Sequence, residues 1–209
     1  MTTLRGLYAV TPDWNDSKRL LAVTEAILAG GCRIVQYRNK ATSDCHRQEQ
    51  AGALRALTRR HDALLIVNDF VDLALQVEAD GVHLGGDDGD LAAARQHLGP
   101  GKILGASCYD DLALAGQAQA AGVDYVAFGS FFPSQVKPAA RRASLDLLRA
   151  ARQEIELPIC AIGGITPANA PALIAAGADL LAVISALYEA DEPKAAAERF
   201  ASLFGREKT

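Results

Sequence analysis

The chain has 209 residues, of which 50% are hydrophobic, and its formal net charge is -4. This length lies near the lower limit for one complete barrel and predicts a single domain over residues 1–209. The acidic balance argues against a nucleic-acid-binding surface, and no apolar run is long enough to cross a membrane. The N-terminal residues lack the apolar region of a signal peptide, so we expect a cytoplasmic protein. The composition leaves the oligomeric state open, and a homo-oligomer is compatible with it.

Short apolar segments recur along the chain, and most end in polar or glycine residues. We expect each segment, together with the polar or glycine residues that end it, to form a strand. These strands are expected at 6–10, 34–40, 65–69, 81–86, 103–107, 125–130, 159–164 and 180–185. Helical patterns are expected at 17–29, 43–60, 71–77, 90–98, 110–121, 144–154 and 192–203, with a further helix beginning at Thr166. This alternation predicts an α/β fold, a single (β/α)₈ TIM barrel. The carboxyl ends of its strands would then carry the chemistry.

A weak internal repeat joins helix exits to the strands that follow. Ala-Gly-Val-Asp ends at Asp124, and Ala-Gly-Ala-Asp ends at Asp179. Both aspartates precede their strands, at the opposite end from the expected chemistry. A role in stability is therefore the better interpretation of this pair.

Four cysteines, Cys32, Cys45, Cys108 and Cys160, occur without a C-x-x-C pair. This spacing argues against a structural zinc site or a disulfide scaffold. Cys160 lies within an apolar strand and is interpreted as a small core residue.

Carboxylates follow the third and fourth strands. Asp69 ends the third strand, and Asp88 comes a few residues after the fourth. Neighbouring strands lie about 4.8 Å apart, so the two loops can meet. Two hard carboxylates without nearby His or Cys suit Mg²⁺. The alternative is that Asp87, Asp88 and Asp90 merely begin a helix, which is the preferred interpretation for Asp90, whereas Asp87 is interpreted as facing solvent.

Three polar residues alternate at the end of the second strand. Gln36, Arg38 and Lys40 are expected on one face, because side chains alternate along a strand. Arginine binds phosphate through two parallel hydrogen bonds, and lysine offers a point charge. The alternative is a layer of hydrogen bonds inside the barrel with Lys40 in solvent. The position favours a binding function.

Glycine and small polar residues follow the last two strands. Gly163 and Gly164 come after the seventh strand, and Ile184 and Ser185 after the eighth. These two loops commonly form a phosphate site in TIM barrels, where backbone N–H groups bind the anion. A tight turn is the simpler alternative, and both interpretations can hold together.

Further polar residues are expected at the same end of the barrel. Asn68 and Ser107 are short strand-end side chains, and Lys137 lies in a long sixth loop. A solvent-exposed lysine is the plain alternative for Lys137. His83 alternates with apolar neighbours and is interpreted as a hydrogen-bonded histidine of the barrel wall rather than a base.

Taken together, these motifs resemble the thiamine-phosphate synthase family over nearly the whole chain. The motifs are Gln36-x-Arg38-x-Lys40, Asn68-Asp69, a glycine-flanked Val-His-Leu followed by Asp88, Ser134-x-x-Lys137, and Gly163-Gly164-Ile-Thr-Pro. The resemblance implies a (β/α)₈ barrel that joins a pyrimidine diphosphate to a thiazole ethyl phosphate. The products would be thiamine phosphate and pyrophosphate, and the partners would be these small molecules alone.

The resemblance also implies a role for each matching residue. The residues for the pyrimidine diphosphate would be Gln36, Arg38, Lys40, Asn68, Ser107 and Lys137. Those for the thiazole phosphate would be Ser134, Gly164, Ile184 and Ser185. Asp69 and Asp88 would ligate Mg²⁺. Lys40, Lys137 and Arg38 would act catalytically by stabilising the departing pyrophosphate.

Two other functions compete with this one. A related barrel enzyme that isomerises the thiazole phosphate would not need Asp69, Asp88, Lys40 and Lys137 as a set. A phosphate-sensing module without catalysis would keep the loops at Gly164 and Ser185 but not a metal site. The joint presence of all these residues favours the synthase.

Overall fold

The computed structural model describes residues 4–86, 89–133 and 142–205. Eight parallel strands pair in chain order and the last pairs with the first, so that they close a barrel. The strands are β1 (Gly6–Val10), β2 (Ile34–Tyr37), β3 (Leu64–Asn68), β4 (Gly81–Leu84), β5 (Ile103–Tyr109), β6 (Tyr125–Gly129), β7 (Ile159–Ile162) and β8 (Leu180–Val183). The predicted (β/α)₈ TIM barrel is confirmed.

Helices follow the strands and form the outer layer. They are α1 (Ser17–Ala29), α2 (Asp44–Arg60), α3 (Val71–Gln76), α4 (Leu91–Leu98), α5 (Leu112–Ala120), α6 (Leu145–Glu154), α7 (Ala170–Ala175), α8 (Ser185–Tyr188) and α9 (Pro193–Ala201), with a 3₁₀ turn at Ser202–Phe204. Across the described ranges, none of these helices combines the length and apolarity that crossing a bilayer requires.

Alternation along each strand divides the buried residues into two clusters. On β1, Tyr8 and Val10 point into the barrel, whereas Leu7 and Ala9 pack against the helical layer. The same parity places Tyr125 and Cys160 inside the barrel. Side chains that point inward near the carboxyl ends of the strands therefore reach the open mouth of the barrel.

β2 ends at Tyr37, three residues before the expected end at Lys40. The backbone N–H of Arg38 donates to Thr11 Oγ1 (2.8 Å), and that of Lys40 donates to Asp13 Oδ1 (2.9 Å). Side chains from the loop after β1 thus take up the backbone hydrogen bonds that a longer strand would have used. Of the three polar residues that were expected to alternate along β2, only Gln36 lies within the strand, and Arg38 and Lys40 lie in the loop that follows it.

Two helix starts also differ from the prediction. The N-cap of α5 is Asp111 and not Asp110, because the Asp111 carboxylate accepts from the N–H groups of the first turn. α7 begins at Ala170 and not at Thr166. Residues 166–169 form a separate turn, in which Asn169 Oδ1 accepts from the Thr166 N–H (2.8 Å).

Partly buried ion pairs support the closed, amino-terminal end of the barrel. Arg152 lies 2.9 Å from the Asp179 carboxylate, and the same oxygen accepts from the Ile159 N–H at 2.9 Å. The pattern recurs with Arg95, Asp124 and the Leu104 N–H, and with Arg55, Asp80 and the Leu65 N–H. Each aspartate ties a helix to the first residues of a strand. The structural interpretation of Asp124 and Asp179 is supported.

Candidate active site

A cavity of about 810 Å³ opens at the carboxyl ends of the strands. Seven of the predicted binding residues line it, contributed by five different strand ends: Gln36, Arg38, Asn68, Ser107, Gly164, Ile184 and Ser185. The barrel therefore gathers into one cavity residues that are up to 149 positions apart in the chain (185 minus 36). Ser134, Lys137 and Asp88 lie outside the described residues.

The cationic loop after β2 is held by Asp13. Its carboxylate accepts from the Lys40 backbone N–H and forms an ion pair with Arg38 Nη1 at 2.8 Å. Asp13 was missed by the sequence analysis. Its place directly after the end of β1, at the same edge as the other candidates, is the signal that could have identified it.

Lys40 and Asp69 form an ion pair beside the cavity. The Lys40 Nζ atom lies 2.6 Å from Asp69 Oδ2, and the Asp69 side chain is only 11% exposed whereas that of Lys40 is 47% exposed. Asp69 directly follows the lining residue Asn68, and its backbone has a positive φ of 66°. Aspartate tolerates this left-handed conformation better than most residues. The strand thus ends in a turn that presents the carboxylate next to the positive charge of Lys40.

A chain of hydrogen bonds crosses the floor of the cavity. Gln36 Nε2 donates to Tyr8 Oη (2.8 Å), and the hydroxyls of Tyr8 and Tyr125 are 2.8 Å apart. His83 Nδ1 lies 2.9 Å from Tyr125 Oη, and His83 Nε2 lies 2.9 Å from Ser107 Oγ. Two predicted binding residues, Gln36 and Ser107, are therefore connected through three others. Both ring nitrogens of His83 are hydrogen-bonded, as expected.

The sequence analysis missed Tyr8 and Tyr125. Burial raises the pKa of both phenols above the usual range, so each keeps its hydrogen at neutral pH. A glycine in β5, Gly105, leaves the space that the Tyr125 ring occupies, because a Cβ there would overlap the ring. The alternation of side chains along β1 and β6 could have identified these tyrosines, because it places both of them on the inner face of the barrel.

Close backbone contacts shape the loop after β7. Gly163 and Gly164 have φ values of 105° and 61°, which favour glycine. A Cβ on Gly163 would overlap Ser130, and one on Gly164 would overlap the Pro133 carbonyl oxygen. Asn169 Nδ2 also donates to the Gly164 carbonyl oxygen at 3.0 Å. The loop is thus held close to the β6 end, with its backbone at the cavity wall.

The loop after β8 turns at once into α8, a four-residue helix that the sequence analysis did not predict. Ile184 is its N-cap and Ser185 its first residue. Both residues line the cavity next to Gly164. The loops after β7 and β8 therefore face the same space, the arrangement that binds phosphate in many TIM barrels.

Comparison with known sequences identifies the family. Residues 7–187 match the sequence pattern of the thiamine monophosphate synthase family. The thiamine-phosphate synthase of Methylobacillus flagellatus is 57% identical over 96% of this chain and 96% of its own length. That of Thioalkalivibrio sulfidiphilus is 54% identical over 96% of each chain.

Solved structures agree with this comparison. The thiamine phosphate pyrophosphorylase of Pyrococcus furiosus superposes with a TM-score of 0.87 at 36% identity, covering 97% of this chain and 96% of that one. A 3-hexulose-6-phosphate synthase superposes with a TM-score of 0.71 at 23% identity, covering 95% of this chain and 99% of that one. At that identity the second likeness shows the shared barrel fold alone.

Proposed function

The chain belongs to the thiamine monophosphate synthase family, and on that premise we propose how it forms thiamine phosphate. The enzyme joins a hydroxymethylpyrimidine diphosphate to a thiazole ethyl phosphate and releases pyrophosphate. The observation that carries this proposal is the single cavity lined by Arg38 and Asn68 on one side and by Gly164 and Ser185 on the other. Two anionic substrates require two such groups of residues around one reaction centre.

The lining residues divide between the two substrates. Arg38 and Asn68, with Lys40 beside them, suit the diphosphate, because cations and an amide donor lie together at neighbouring strand ends. Gln36 and Ser107 on the cavity floor suit a polar heterocycle such as the pyrimidine. Backbone N–H groups at Gly164 and Ser185 suit the phosphate of the thiazole. We propose further that Ser134 contacts the thiazole phosphate and that Lys137 contacts pyrophosphate.

Asp69 fits a role in holding Mg²⁺. Its carboxylate is largely buried and forms an ion pair with the half-exposed Lys40. The described part of the chain holds no cluster of three potential metal-ligating side chains. Mg²⁺ in phosphate enzymes commonly takes one or two carboxylates and completes its shell with water and phosphate oxygens. Asp69, with Asp88 as the proposed second ligand, would hold the ion, which would neutralise charge on the diphosphate.

The chemistry needs charge stabilisation and positioning. The bond between the pyrimidine methylene carbon and the diphosphate oxygen breaks, and both electrons leave with pyrophosphate. Lys40 and Arg38 stabilise that growing negative charge, and Lys137 is proposed to do the same. The thiazole nitrogen then donates its lone pair to the methylene carbon, while the phosphate anchor at Gly164 and Ser185 holds the ring in place. No step requires a general base.

Pyrophosphate release tests the function. The purified protein is incubated with each substrate alone and with both, with Mg²⁺ present or chelated. The synthase releases pyrophosphate and forms thiamine phosphate only with both substrates and Mg²⁺. Isomerisation of the thiazole phosphate alone, or phosphate binding without turnover, would replace this proposal by one of the two competing functions.

A further inference from the structure

The Lys40–Asp69 ion pair is supported from behind by a buried arginine. We infer that Arg47 is a positioning residue for the proposed diphosphate site. Its guanidinium holds the backbone on both sides of Lys40 and packs on the residue that follows Asp69, so it determines where the two charges meet. This inference rests on the proposed function, because the site concerned is the one proposed for the diphosphate.

Arg47 is a buried charge outside the cavity lining. It lies near the start of α2, and its side chain is only 8% exposed. Among the described residues, those that line the cavity do not include Arg47. A buried guanidinium is costly unless its N–H groups have hydrogen-bond partners. The partners of these groups therefore indicate what the side chain does.

Two of those partners are backbone carbonyl groups that flank Lys40. Arg47 Nε donates to the Asn39 carbonyl oxygen at 3.2 Å, and Nη2 donates to that of Thr42 at 2.9 Å. Nη1 forms an ion pair with Asp44. The flanking segment lies between β2 and α2, so the hydrogen bonds of regular secondary structure do not fix it. The planar guanidinium instead bridges the turn that carries Lys40.

The guanidinium also packs on the turn that follows β3. Its central carbon lies 4.2 Å from the centroid of the Phe70 ring, and Phe70 directly follows Asp69 in the chain. Phe70 is 38% exposed, so the barrel interior does not enclose its ring. A cation placed over an aromatic face is attracted to it. Arg47 thus contacts both segments that supply the charges of the Lys40–Asp69 pair.

The position of these two segments matters because the two side chains differ in reach. Asp69 is short, and its carboxylate is placed by a backbone with a φ of 66°. The Lys40 ammonium ends a long side chain that starts from the turn bridged by Arg47. Displacing either segment would move the two charges relative to each other and to the diphosphate. Replacing groups that orient metal ligands typically costs about 10- to 100-fold in affinity or activity.

The turn keeps another anchor when Arg47 is replaced. Asn39 Nδ2 donates to Gln50 Oε1 at 3.1 Å and to the Trp14 carbonyl oxygen at 3.2 Å. We therefore expect Arg47 variants to fold, with the displacement confined to the residues that follow Asn39.

The test compares two arginines of the same helix. Arg47→Met removes the hydrogen bonds and the charge, whereas Arg47→Lys keeps the charge without the planar group. Arg55→Met is the matched control, because Arg55 is only 14% exposed and pairs with Asp80 at the closed end of the barrel (2.6 Å). Phe70→Leu removes the ring contact alone.

Three measurements separate position from stability. Calorimetry with inorganic pyrophosphate and excess Mg²⁺ gives a Kd without turnover. Thermal unfolding gives the melting temperature of each variant. Steady-state assays give kcat and the KM for each substrate.

We expect the Kd for pyrophosphate to rise about tenfold or more in both Arg47→Met and Arg47→Lys, with a fall in kcat of similar size. The KM for the thiazole phosphate should stay unchanged, and Phe70→Leu should give a smaller change in the same direction. Arg55→Met should lower the melting temperature and leave the Kd for pyrophosphate at the wild-type value.

A wild-type Kd in folded Arg47→Met would overturn the inference, whatever the loss of stability. A wild-type Kd in Arg47→Lys would also overturn it, because charge and not position would then be the cause. If neither Arg47 variant folds, an unchanged Kd in Phe70→Leu would have the same consequence. A wild type that binds magnesium pyrophosphate without forming thiamine phosphate would overturn the proposed function alone, and one that does neither would overturn both.

Discussion

The Lys40 ammonium lies 2.6 Å from the Asp69 carboxylate, so a proposed phosphate-binding cation and a proposed metal ligand are in contact at the cavity edge. The two residues are 29 positions apart in the chain (69 minus 40) and come from the ends of neighbouring strands β2 and β3. Each charge compensates the other. Binding of a magnesium diphosphate would exchange this contact for one between Asp69 and Mg²⁺ and another between Lys40 and phosphate oxygen.

Replacing Asp69 tests the metal assignment. Asp69→Asn should abolish most of the activity and raise the Mg²⁺ concentration needed for half-maximal rate, because an amide is a weaker ligand than a carboxylate. The same is expected of Asp88→Asn. Asp146→Asn is the control, since it removes an exposed carboxylate on α6. Full activity with an unchanged Mg²⁺ titration in both site variants would rule out the metal role.

Replacing Lys40 tests leaving-group stabilisation. Lys40→Ala should lower kcat on the order of a hundredfold, because its charge is proposed to meet the departing pyrophosphate. The KM for the thiazole phosphate should change little, and Lys137→Ala should behave likewise. Lys194→Ala, on the exposed surface of α9, serves as the control. A change confined to the KM for the thiazole phosphate would place these lysines at the other substrate.

Asp13 should govern binding of the pyrimidine diphosphate. Asp13→Ala removes the ion pair to Arg38 and the hydrogen bond from the Lys40 N–H. The loop that carries both cations is then held less firmly, by contacts that include the Arg38–Thr11 hydrogen bond and the Lys40–Asp69 ion pair. We expect about a tenfold rise in the KM for the pyrimidine diphosphate, which corresponds to about 1.4 kcal/mol. Thermal unfolding should change little, because Asp13 lies in a surface loop. An unaltered KM would show that the loop holds its shape without this contact.

Asp179 should govern stability and not catalysis. Asp179→Ala leaves the Ile159 N–H and Arg152 without their common acceptor. We expect a loss of about 1–3 kcal/mol, the typical effect of removing the partner of a buried donor, which here is the Ile159 N–H. Thermal and urea unfolding would measure the loss, with kcat determined well below the transition. A large drop in kcat at full stability would contradict the division between the two ends of the barrel.

Thiol reactivity should follow burial. Cys45 is exposed, whereas Cys32, Cys108 and Cys160 are buried. Burial raises the pKa of Cys32 to about 11 and those of Cys108 and Cys160 to about 12, so few of these thiols ionise at pH 8. Iodoacetamide should therefore modify Cys45 rapidly and the other three only after unfolding in denaturant. Mass spectrometry of the labelled peptides decides this, and rapid labelling of Cys160 in the native protein would contradict the packing of the barrel interior.

The sequence by itself determined the barrel and most of the residues at its mouth. Apolar segments alternating with helical patterns specify parallel strands, and a polar end to such a strand must lie at the carboxyl edge. Gln36, Asn68, Ser107 and Gly164 could be predicted in this way, because each position depends only on the order of residues within one strand and its loop. The resemblance to a family assigned a role to each of these residues. The order of residues within one strand and its loop does not contain that information.

Only the tertiary structure decided which of these residues meet. The end of β2 at Tyr37 depends on Thr11 and Asp13, which come from another loop and replace strand hydrogen bonds. The hydrogen-bonded chain from Gln36 through Tyr8, Tyr125 and His83 to Ser107 joins five different strands. Nothing within any one of these strands indicates that its residue belongs to the chain. Barrel closure fixes the register between strands, and register determines which inward side chains come within hydrogen-bonding distance. That information belongs to no single segment of the sequence.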